Sequence, residues 1–494
     1  MPVDVVLGLQ WGDEGKGKVV DMLAERADVV ARYQGGPNAG HTVVHNGQKH
    51  VLHMVPSGIV HGRRCLIGPG CVVDPSQMLN EYVALRHLGL DPRTKVGIDV
   101  QTPLITPEMR LMDALRESRT GGFGSTKTGI AFAYAAEAAK KAARIYDIVQ
   151  KGDSGKKALE KIVDDLIDDV EAKVLQAWRL TRTDAITASD EITKRDERVY
   201  KGLFGDEKTP GVPGIKRAHL NFGRFIDPFS ESVIFRRSEI VEYLLKMGEK
   251  LREYGAVTDV FKEIQNVLES DAMVIAEGSQ GIMLHLLQGT RPYTTSSFTG
   301  VDGALAGLGI APHQLGNVIG VMKAYVTRVG DGPFPTWNQE DIGAFLQDRG
   351  SERGATTGRS RKCGFFDAVQ ARYALQRTGA HEIALTKLDI LAGISELKIC
   401  VAYRIGKKVI DYFPRDDDTQ KAAVPIWSKP FKPFGPEEVI GAKSFDDLGP
   451  NARAYVNTIM RHIQPACPHV RLKYIGTGPD RDDLIILEKP LKAN

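Results

Sequence analysis

Hydrophobic and polar positions along the chain follow two alternating periods. Short apolar runs predict strands at residues 3–9, 28–33, 51–55, 65–67, 273–276, 316–326, 382–385 and 397–403, with two more near 470 and 484. Apolar residues at helical spacing predict helices at 18–26, 76–88, 107–118, 234–268 and 451–463. This alternation predicts an α/β fold with a large central, mostly parallel sheet flanked by helices.

The middle of the chain departs from this alternation. Residues 157–178 place charges between apolar residues at helical spacing, which predicts an amphipathic surface helix. Residues 180–230 are rich in Thr, Asp, Gly and Pro, so we expect a loop there. Because no internal repeat or linker divides the chain, we expect a single domain over residues 1–494 with a helical and loop insertion at about 148–270.

Composition narrows the class of protein. The 494 residues carry a net charge of only +3, which does not favour nucleic acid as a partner. The five cysteines are odd in number and lack CxxC spacing, so we expect reduced thiols in the cytoplasm. No secretory signal pattern and no run of about 18 apolar residues is present, and we therefore expect no membrane association.

A glycine-rich turn follows the first predicted strand. It reads Gly12-Asp13-Glu14-Gly15-Lys16-Gly17-Lys18 and leads into a helix. The glycines let backbone N–H groups approach phosphate oxygens, and the helix N-terminus and the lysines add positive charge. The match to a P-loop is partial, because Gly17 stands where Ser or Thr is usual. An ordinary surface turn remains an equal alternative, and two carboxylates inside a phosphate cradle need an explanation.

Further segments suggest chemistry, although each also has an ordinary structural explanation. His41 beside Gly40 could donate a proton to a departing phosphoryl oxygen, or could be a satisfied loop histidine. Arg359 and Arg361 follow a Gly/Thr-rich stretch suited to anion binding, or form a solvated basic loop. The Lys-Leu-Asp at 387–389 is similar to the guanine-reading element of GTP-binding proteins, but so short a match is common by chance.

Taken together and in order, these segments resemble the adenylosuccinate synthetase family. The segments that carry the resemblance are QWGDEGKGK (10–18), NAGHT (38–42), PSGI (56–59), EGSQG (277–281), GATTGR (354–359), TKLD (386–389), KICVAYR (398–404) and TGPDR (477–481). The family implies a ligase of purine and AMP biosynthesis that joins inosine monophosphate (IMP) and L-aspartate through a 6-phosphoryl intermediate. GTP is consumed to GDP and phosphate, Mg²⁺ is required, and the enzyme is typically a homodimer.

The resemblance also implies a role for individual residues. Asp13 matches the general base and a Mg²⁺ ligand, Gly40 the second protein ligand of the metal, and His41 the catalytic acid. The implied GTP site comprises Gly12, Asp13, Glu14, Gly15, Lys16, Gly17, Lys18, Gly40, His41, Thr42, Arg361, Lys387, Leu388, Asp389, Gly476, Thr477 and Gly478. The implied IMP site comprises Asp13, Glu14, Gly15, Lys16, Asn38, Ala39, Gly40, His41, Thr126, Lys140, Gln280, Thr295 and Arg359. The implied aspartate loop comprises Ala355, Thr356, Thr357, Gly358, Arg359, Ser360 and Arg361.

The chain departs from the family pattern mainly on the nucleotide-monophosphate and aspartate sides. The departures are Pro37, Lys127, Thr128, Lys140, His285, Phe298 and Ser360, together with the long middle segment. They motivate two alternatives: the same chemistry on another purine nucleotide such as dGMP, and a GTP-binding regulatory protein without turnover. Because both Asp13 and His41 are retained, the ligase is the favoured interpretation.

Overall fold

The computed structural model describes residues 2–45, 48–119, 124–171, 178–204, 222–270, 272–328, 330–354 and 360–488. The strands in these residues are β1 (Val3–Gly8), β2 (Val29–Arg32), β3 (His41–His45), β4 (Gln48–Leu52), β5 (Arg64–Ile67), β6 (Val96–Asp99), β7 (Val257–Thr258), β8 (Val274–Glu277), β9 (Leu315–Lys323), β10 (Val326–Arg328), β11 (Lys362–Gly364), β12 (Phe366–Asp367), β13 (Glu382–Thr386), β14 (Ile399–Ile405), β15 (Lys408–Ile410), β16 (Val424–Trp427), β17 (Arg471–Gly476) and β18 (Leu484–Ile486). The α-helices are α1 (Lys16–Ala24), α2 (Pro75–His87), α3 (Pro107–Arg119), α4 (Ile130–Ala138), α5 (Ile145–Val149), α6 (Gly152–Val170), α7 (Arg182–Phe204), α8 (Arg237–Glu253), α9 (Val260–Glu269), α10 (Val301–Leu308), α11 (Asp341–Arg349), α12 (Ala368–Thr378), α13 (Asp417–Ala422) and α14 (Pro450–Ile463).

Ten strands form one large sheet, in the order β18-β17-β13-β9-β1-β8-β2-β5-β6-β7. Every neighbouring pair is parallel except β17 and β18. Strand β1 lies near the middle, where Val5 pairs with Ala276 of β8 and Val318 of β9. Helices cover both faces of such a sheet, so its central strands read as continuous apolar runs. The predicted α/β class and mostly parallel sheet are confirmed.

Smaller sheets flank the large one. Strands β3 and β4 pair antiparallel with His45 opposite Gln48, as expected for a tight hairpin between them. The Asn-Gly dipeptide at residues 46–47 is typical of tight hairpin turns, and it lies outside the described residues. Strand β14 pairs with β12, β15 and β16 near the C-terminal part of the chain. In the described part of the chain, no helix combines the length and the apolar character needed to cross a membrane.

The middle segment differs from the sequence analysis in two places. The helix predicted at 234–268 is wrong as a single element, because α8 ends before Gly255, whose φ is 63°, and strand β7 separates it from α9. The predicted amphipathic helix is present as α6, but the predicted loop at 180–230 begins with the 23-residue helix α7. Its Thr and Asp residues form a helix start: Asp184 Oδ2 accepts from Thr181 N at 2.8 Å, and Thr181 Oγ1 accepts from Asp184 N at 3.3 Å. Ile192 and Val199 are buried at helical spacing, in the same apolar cluster as strands β5 and β6. The loop prediction is therefore wrong for residues 182–204.

Candidate active site

A cavity of about 1120 Å³ opens where the parallel strands of the large sheet end. Strands β1, β8, β9, β13 and β17 all point their carboxyl ends toward it, which is the usual ligand position in an open α/β sheet. The predicted site residues that line it are Gly12, Asp13, Gly15, Lys16, Gly17, Lys18, Asn38, Ala39, Gly40, His41, Thr126, Gln280, Thr295, Arg361, Lys387, Gly476 and Gly478. Segments far apart in sequence thus converge on a single cavity.

The glycine-rich turn after β1 has an unusual backbone. Gly12, Asp13 and Gly15 have φ angles of 88°, 60° and 90°, and the left-handed region costs a non-glycine residue such as Asp13 about 1–2 kcal/mol. Gly15 precedes α1 without a side-chain cap, so backbone N–H groups at the helix start remain for an anion. The turn therefore presents both N–H donors and the Asp13 carboxylate to the cavity.

Glu14 stabilises the backbone of this turn from the buried side. Its buried carboxylate accepts hydrogen bonds from Gln10 N at 3.1 Å and Gly12 N at 2.9 Å, and it pairs with Lys16 Nζ. The two carboxylates of the turn thus have different positions: Asp13 lines the cavity, whereas Glu14 does not. The nucleotide contact that the resemblance implies for Glu14 stays a prediction.

Asp13 belongs to a chain of ion pairs. Its Oδ2 lies 2.6 Å from Arg361 Nη2, and Arg361 also bonds to the buried carboxylate of Glu352. Glu352 Oε1 lies 3.0 Å from Lys323 Nζ and 2.7 Å from Lys387 Nζ. Burial alone would raise the pKa of Glu352, but these three cations hold it well below its usual value. Burial lowers the pKa of Lys323 to about 8. One buried carboxylate therefore links the Asp13 side of the cavity to the Lys387 side.

His41 is held by a second buried carboxylate. Its Nδ1 bonds to Glu277 at the end of β8, and Glu277 also accepts from Ser57 N at 2.8 Å and Ser57 Oγ at 2.7 Å. Burial alone would raise the pKa of Glu277, but the contact with His41 lowers it. The bond uses Nδ1, so Nε2 is the ring nitrogen available for a ligand. Ser57 explains the PSGI segment, whose role the sequence analysis leaves open.

The predicted guanine side is formed by β13, β17 and their following turns. Lys387 has a φ of 58° and bonds through Nζ to Gly350 O at 3.0 Å. Lys18 reaches across from α1 to Gly478 O at 2.9 Å and Asp483 O at 2.8 Å. Leu388 and Thr477 are buried, and Asp389 is half-buried, which raises the pKa of its carboxyl. Leu388, Thr477 and Asp389 adjoin the cavity wall without lining it.

Gln280 is the clearest candidate contact on the nucleotide-monophosphate side. It has a φ of 53°, and neither its amide oxygen nor its amide nitrogen finds a hydrogen-bond partner among the described residues. A buried unpaired amide at a cavity is expected to bond a ligand. Asn38, Thr126 and Thr295 line the same cavity.

Other predicted residues lie elsewhere. Lys140 is exposed, has a φ of 60° and does not line the cavity, and Ser360 is also exposed. The side chain of Thr42 and the predicted aspartate loop Ala355, Thr356, Thr357, Gly358 and Arg359 lie outside the described residues. Arg361 is the member of that loop seen in the cavity.

The sequence analysis misses several lining residues. These are Asp113, Arg116, Ser125, Tyr293, Asp331 and Arg353. Asp480 and Arg481 also line the cavity, and they belong to the TGPDR segment of the sequence analysis, which Asp482 follows directly. Asp113 and Arg116 sit in the ordinary amphipathic pattern of α3, which gives no signal of function. Glu352 could have been suspected, because it is an isolated acid two residues before the GATTGR segment.

Two departures from the family pattern contact one another. The rings of His285 and Phe298 are 5.3 Å apart. His285 Nδ1 accepts from Leu287 N at 3.0 Å and Gln288 N at 3.2 Å, a capping role that an aspartate at this position could also fill. His285 and Phe298 thus pack against each other, and neither lines the cavity.

The described residues include no group of three or more His, Cys, Asp or Glu side chains placed to hold a metal ion. Asp13 and the Gly40 carbonyl remain as possible ligands, because Mg²⁺ commonly takes one or two carboxylates and completes its shell with phosphate and water. The 29% exposure of the Asp13 side chain at the cavity wall fits that mode of binding.

Comparison with known proteins gives a consistent picture. A family model described as adenylosuccinate synthetase matches residues 5–203 and 221–485. The adenylosuccinate synthetase of Methanothrix thermoacetophila is 37% identical over 485 residues, 98% of this chain and 99% of that protein. The fully ligated adenylosuccinate synthetase of Plasmodium falciparum superposes with a TM-score of 0.79 at 27% identity, covering 99% of this chain and 100% of the other. A cyanophage S-2L succinoaminodeoxyadenylate synthetase bound to dGMP shares the fold at a TM-score of 0.51 and 19% identity, covering 98% of this chain and 95% of the other.

Proposed function

Because the chain belongs to the adenylosuccinate synthetase family, we propose that it joins IMP and L-aspartate to form adenylosuccinate, consuming GTP to GDP and phosphate. The observation that supports this most directly is the convergence of Asp13, His41 and Lys387 on one cavity. A base, an acid and a purine-reading segment are the parts that such a reaction needs. The favoured product is the committed intermediate between IMP and AMP.

The first step activates the purine. We infer that Asp13 removes the N1 proton of IMP, so that O6 attacks the γ-phosphorus of GTP and the bond to the β,γ-bridging oxygen breaks, releasing GDP. Arg361 Nη2, 2.6 Å from Asp13 Oδ2, orients this carboxylate. His41, fixed through Glu277, stabilises charge on the transferring phosphoryl group.

The second step forms the C–N bond. The amine of L-aspartate attacks C6 of 6-phosphoryl-IMP and forms the C6–N bond. The C6–O bond then breaks, so that the oxygen departs as part of inorganic phosphate, and the nitrogen loses a proton. A phosphate leaves far more readily than the original oxo group, which is why the two steps share one site. We propose that the segment 355–361 binds the aspartate carboxylates, by resemblance to the family.

We also propose Mg²⁺ as the cofactor, held by the Asp13 carboxylate and the Gly40 carbonyl. When bound, Mg²⁺ would neutralise charge on the GTP phosphates. We further propose a cytoplasmic homodimer in which the exposed Lys140 reaches the partner's nucleotide, as the resemblance implies. A sedimentation measurement showing a monomer under turnover conditions would contradict the dimer.

A direct assay tests the proposal. Purified protein is incubated with GTP, Mg²⁺, L-aspartate and either IMP or dGMP, and phosphate release and purine absorbance are followed. Product from dGMP alone would favour the paralogue, and GTP binding without turnover would favour a regulatory protein. We expect Asp13→Asn to lose at least about a hundredfold in kcat, in the range of a missing general base. Near-normal turnover by that variant would refute the role of Asp13.

A further inference from the structure

Helix α7 lies directly behind two segments that line the cavity. Glu191 and Arg195 are four residues apart and so share one face of the helix. Arg195 Nη2 donates to Pro37 O at 3.1 Å, immediately before residues 38–41. Glu191 forms an ion pair with Lys127, immediately after Thr126. No residue of α7 that the structure describes lines the cavity itself, so the helix acts on the cavity through neighbouring segments.

Arg195 is held rigidly in a buried charge network. Its side chain is 4% exposed, and its Nη1 lies 2.8 Å from Asp196 Oδ1. The same oxygen accepts from Arg110 Nη2 at 2.6 Å, and Arg110 Nη1 lies 3.1 Å from Asp74 Oδ2. Two guanidinium groups thus balance two carboxylates, and the planar fork of each arginine fixes its direction. The donor that meets Pro37 has little freedom to move.

The contact with Pro37 controls the next peptide. Proline has no N–H, so its carbonyl is the backbone group through which this position can be held. Fixing that carbonyl fixes the plane of the peptide shared with Asn38, whose side chain in turn accepts from Gly36 N at 3.2 Å. The sequence departure at Pro37 and the arginine on α7 therefore complement one another.

The contact with Lys127 acts in the same way on the other segment. Lys127 has a φ of 55°, a left-handed conformation that a lysine adopts only when its surroundings require it. Its backbone N–H donates to Ser125 Oγ at 3.2 Å, its ammonium group pairs with Glu191, and the neighbouring Thr126 and Thr128 hydroxyls are 2.7 Å apart. Pro37 and Lys127, two departures from the family pattern, thus each connect a cavity-lining segment to α7.

From these contacts we propose that α7 is the positioning element of the nucleotide-monophosphate side of the site. Arg195 sets the segment 37–41 and Glu191 sets the turn at 126–128, so that their cavity-facing groups match IMP. The inference rests on the proposed function, because Asn38 and Thr126 are IMP contacts by resemblance. It assigns a role to the middle segment of the chain, with Arg195 as a positioning residue and not a catalytic one.

Steady-state kinetics of Arg195→Met test this proposal. Loss of a buried charge-assisted hydrogen bond corresponds to about tenfold or more, so we expect the KM for IMP to rise at least about tenfold while the KM for GTP stays within about twofold. Lys194→Met is the matched control, since Lys194 is exposed on the same helix. It should leave both constants unchanged. An unchanged KM for IMP in Arg195→Met, or equal rises in both constants, would overturn the proposal.

A charge exchange covers the case in which Arg195→Met does not fold. Lys127→Glu and Glu191→Lys should each weaken IMP binding, and the double variant should recover part of the loss, because the pair is restored with opposite polarity. Absence of any recovery would overturn the contact with Lys127. IMP affinity measured by titration calorimetry needs no turnover. A wild-type chain that binds IMP but makes no product would therefore refute the proposed function while leaving this test intact.

Discussion

Glu352 offers the sharpest test of the physical account of the site. It is fully buried and accepts bonds from Lys323 and Tyr325 on one side and from Arg361 and Lys387 on the other. The substitution Glu352→Gln keeps the shape and one acceptor oxygen, but it removes the only negative charge that these contacts share. The variant therefore separates the charge of this residue from its volume.

In Glu352→Gln, the three cations that contact residue 352 keep different partners. Arg361 keeps Asp13, and Lys387 is 28% exposed and can be hydrated. Lys323 is 0% exposed and retains only the Thr327 hydroxyl among the contacts described for its ammonium group. The cost should therefore be that of one uncompensated buried charge, about 3–5 kcal/mol. Proton loss from Lys323, whose pKa burial already lowers to about 8, limits this cost at alkaline pH.

The measurement is the free energy of unfolding in urea at pH 7, followed by tryptophan fluorescence. The matched control is Lys323→Met combined with Glu352→Gln, which removes both members of the pair and should be clearly less destabilised than Glu352→Gln alone. The folded pKa of Glu352 is depressed, so its contribution is present above the usual value of 4.5 and is lost as pH falls further. The reasoning would be refuted if Glu352→Gln lowered the free energy of unfolding by less than about 1 kcal/mol, or if the double variant were less stable than Glu352→Gln alone.

Two further predictions concern residues outside the cavity. Burial raises the pKa of Glu108 to about 7, and its Oε2 has no hydrogen-bond partner among the described residues. The folded state therefore binds more protons between pH 4.5 and 7 and loses stability as pH rises through that window. Above pH 7, thermal denaturation should find Glu108→Gln more stable by up to about 3 kcal/mol, and equal stability would contradict the raised pKa. His285 Nε2 lies 2.9 Å from Asp302 Oδ2. His285→Asp should cost about 1 kcal/mol through repulsion at this partly exposed pair, and adding Asp302→Asn should restore the melting temperature; no restoration would argue against the pair.

The large sheet could be predicted because its strands are buried on both faces. Strands of this kind appear in the sequence as short, continuous apolar runs. Their length distinguishes them from buried helices, which are longer. Helix α7 could not be predicted in this way, because its buried face mixes small and charged residues such as Ala188 and Arg195. Its Thr and Asp residues satisfy backbone groups at a helix start, but the same composition is typical of turns.

The candidate site was predictable where several local patterns, each ambiguous alone, occur together in one order along the chain. Glycines with positive φ around Asp13 and a Lys-x-Asp at a strand end are such patterns, and their segments meet at the cavity. Glu277 and Glu352 are different, because the partners of each are distant in sequence: His41 is 236 residues from Glu277, and Lys387 is 35 residues from Glu352. Their function depends on which side chains the fold brings beside them, and spacing along the chain does not contain that information.

The two carboxylates of the first turn illustrate how these levels combine. In sequence, Asp13 and Glu14 are neighbours with the same chemistry. The left-handed conformation of Asp13 turns successive side chains apart, so Glu14 enters the core to hold Gln10 and Gly12 while Asp13 faces the cavity and Arg361. A phosphate cradle built only from N–H groups would have no need of either acid. The proposed reaction gives each acid a separate use: Glu14 fixes the strained backbone, and Asp13, ion-paired with Arg361, is the carboxylate left to act on the second substrate.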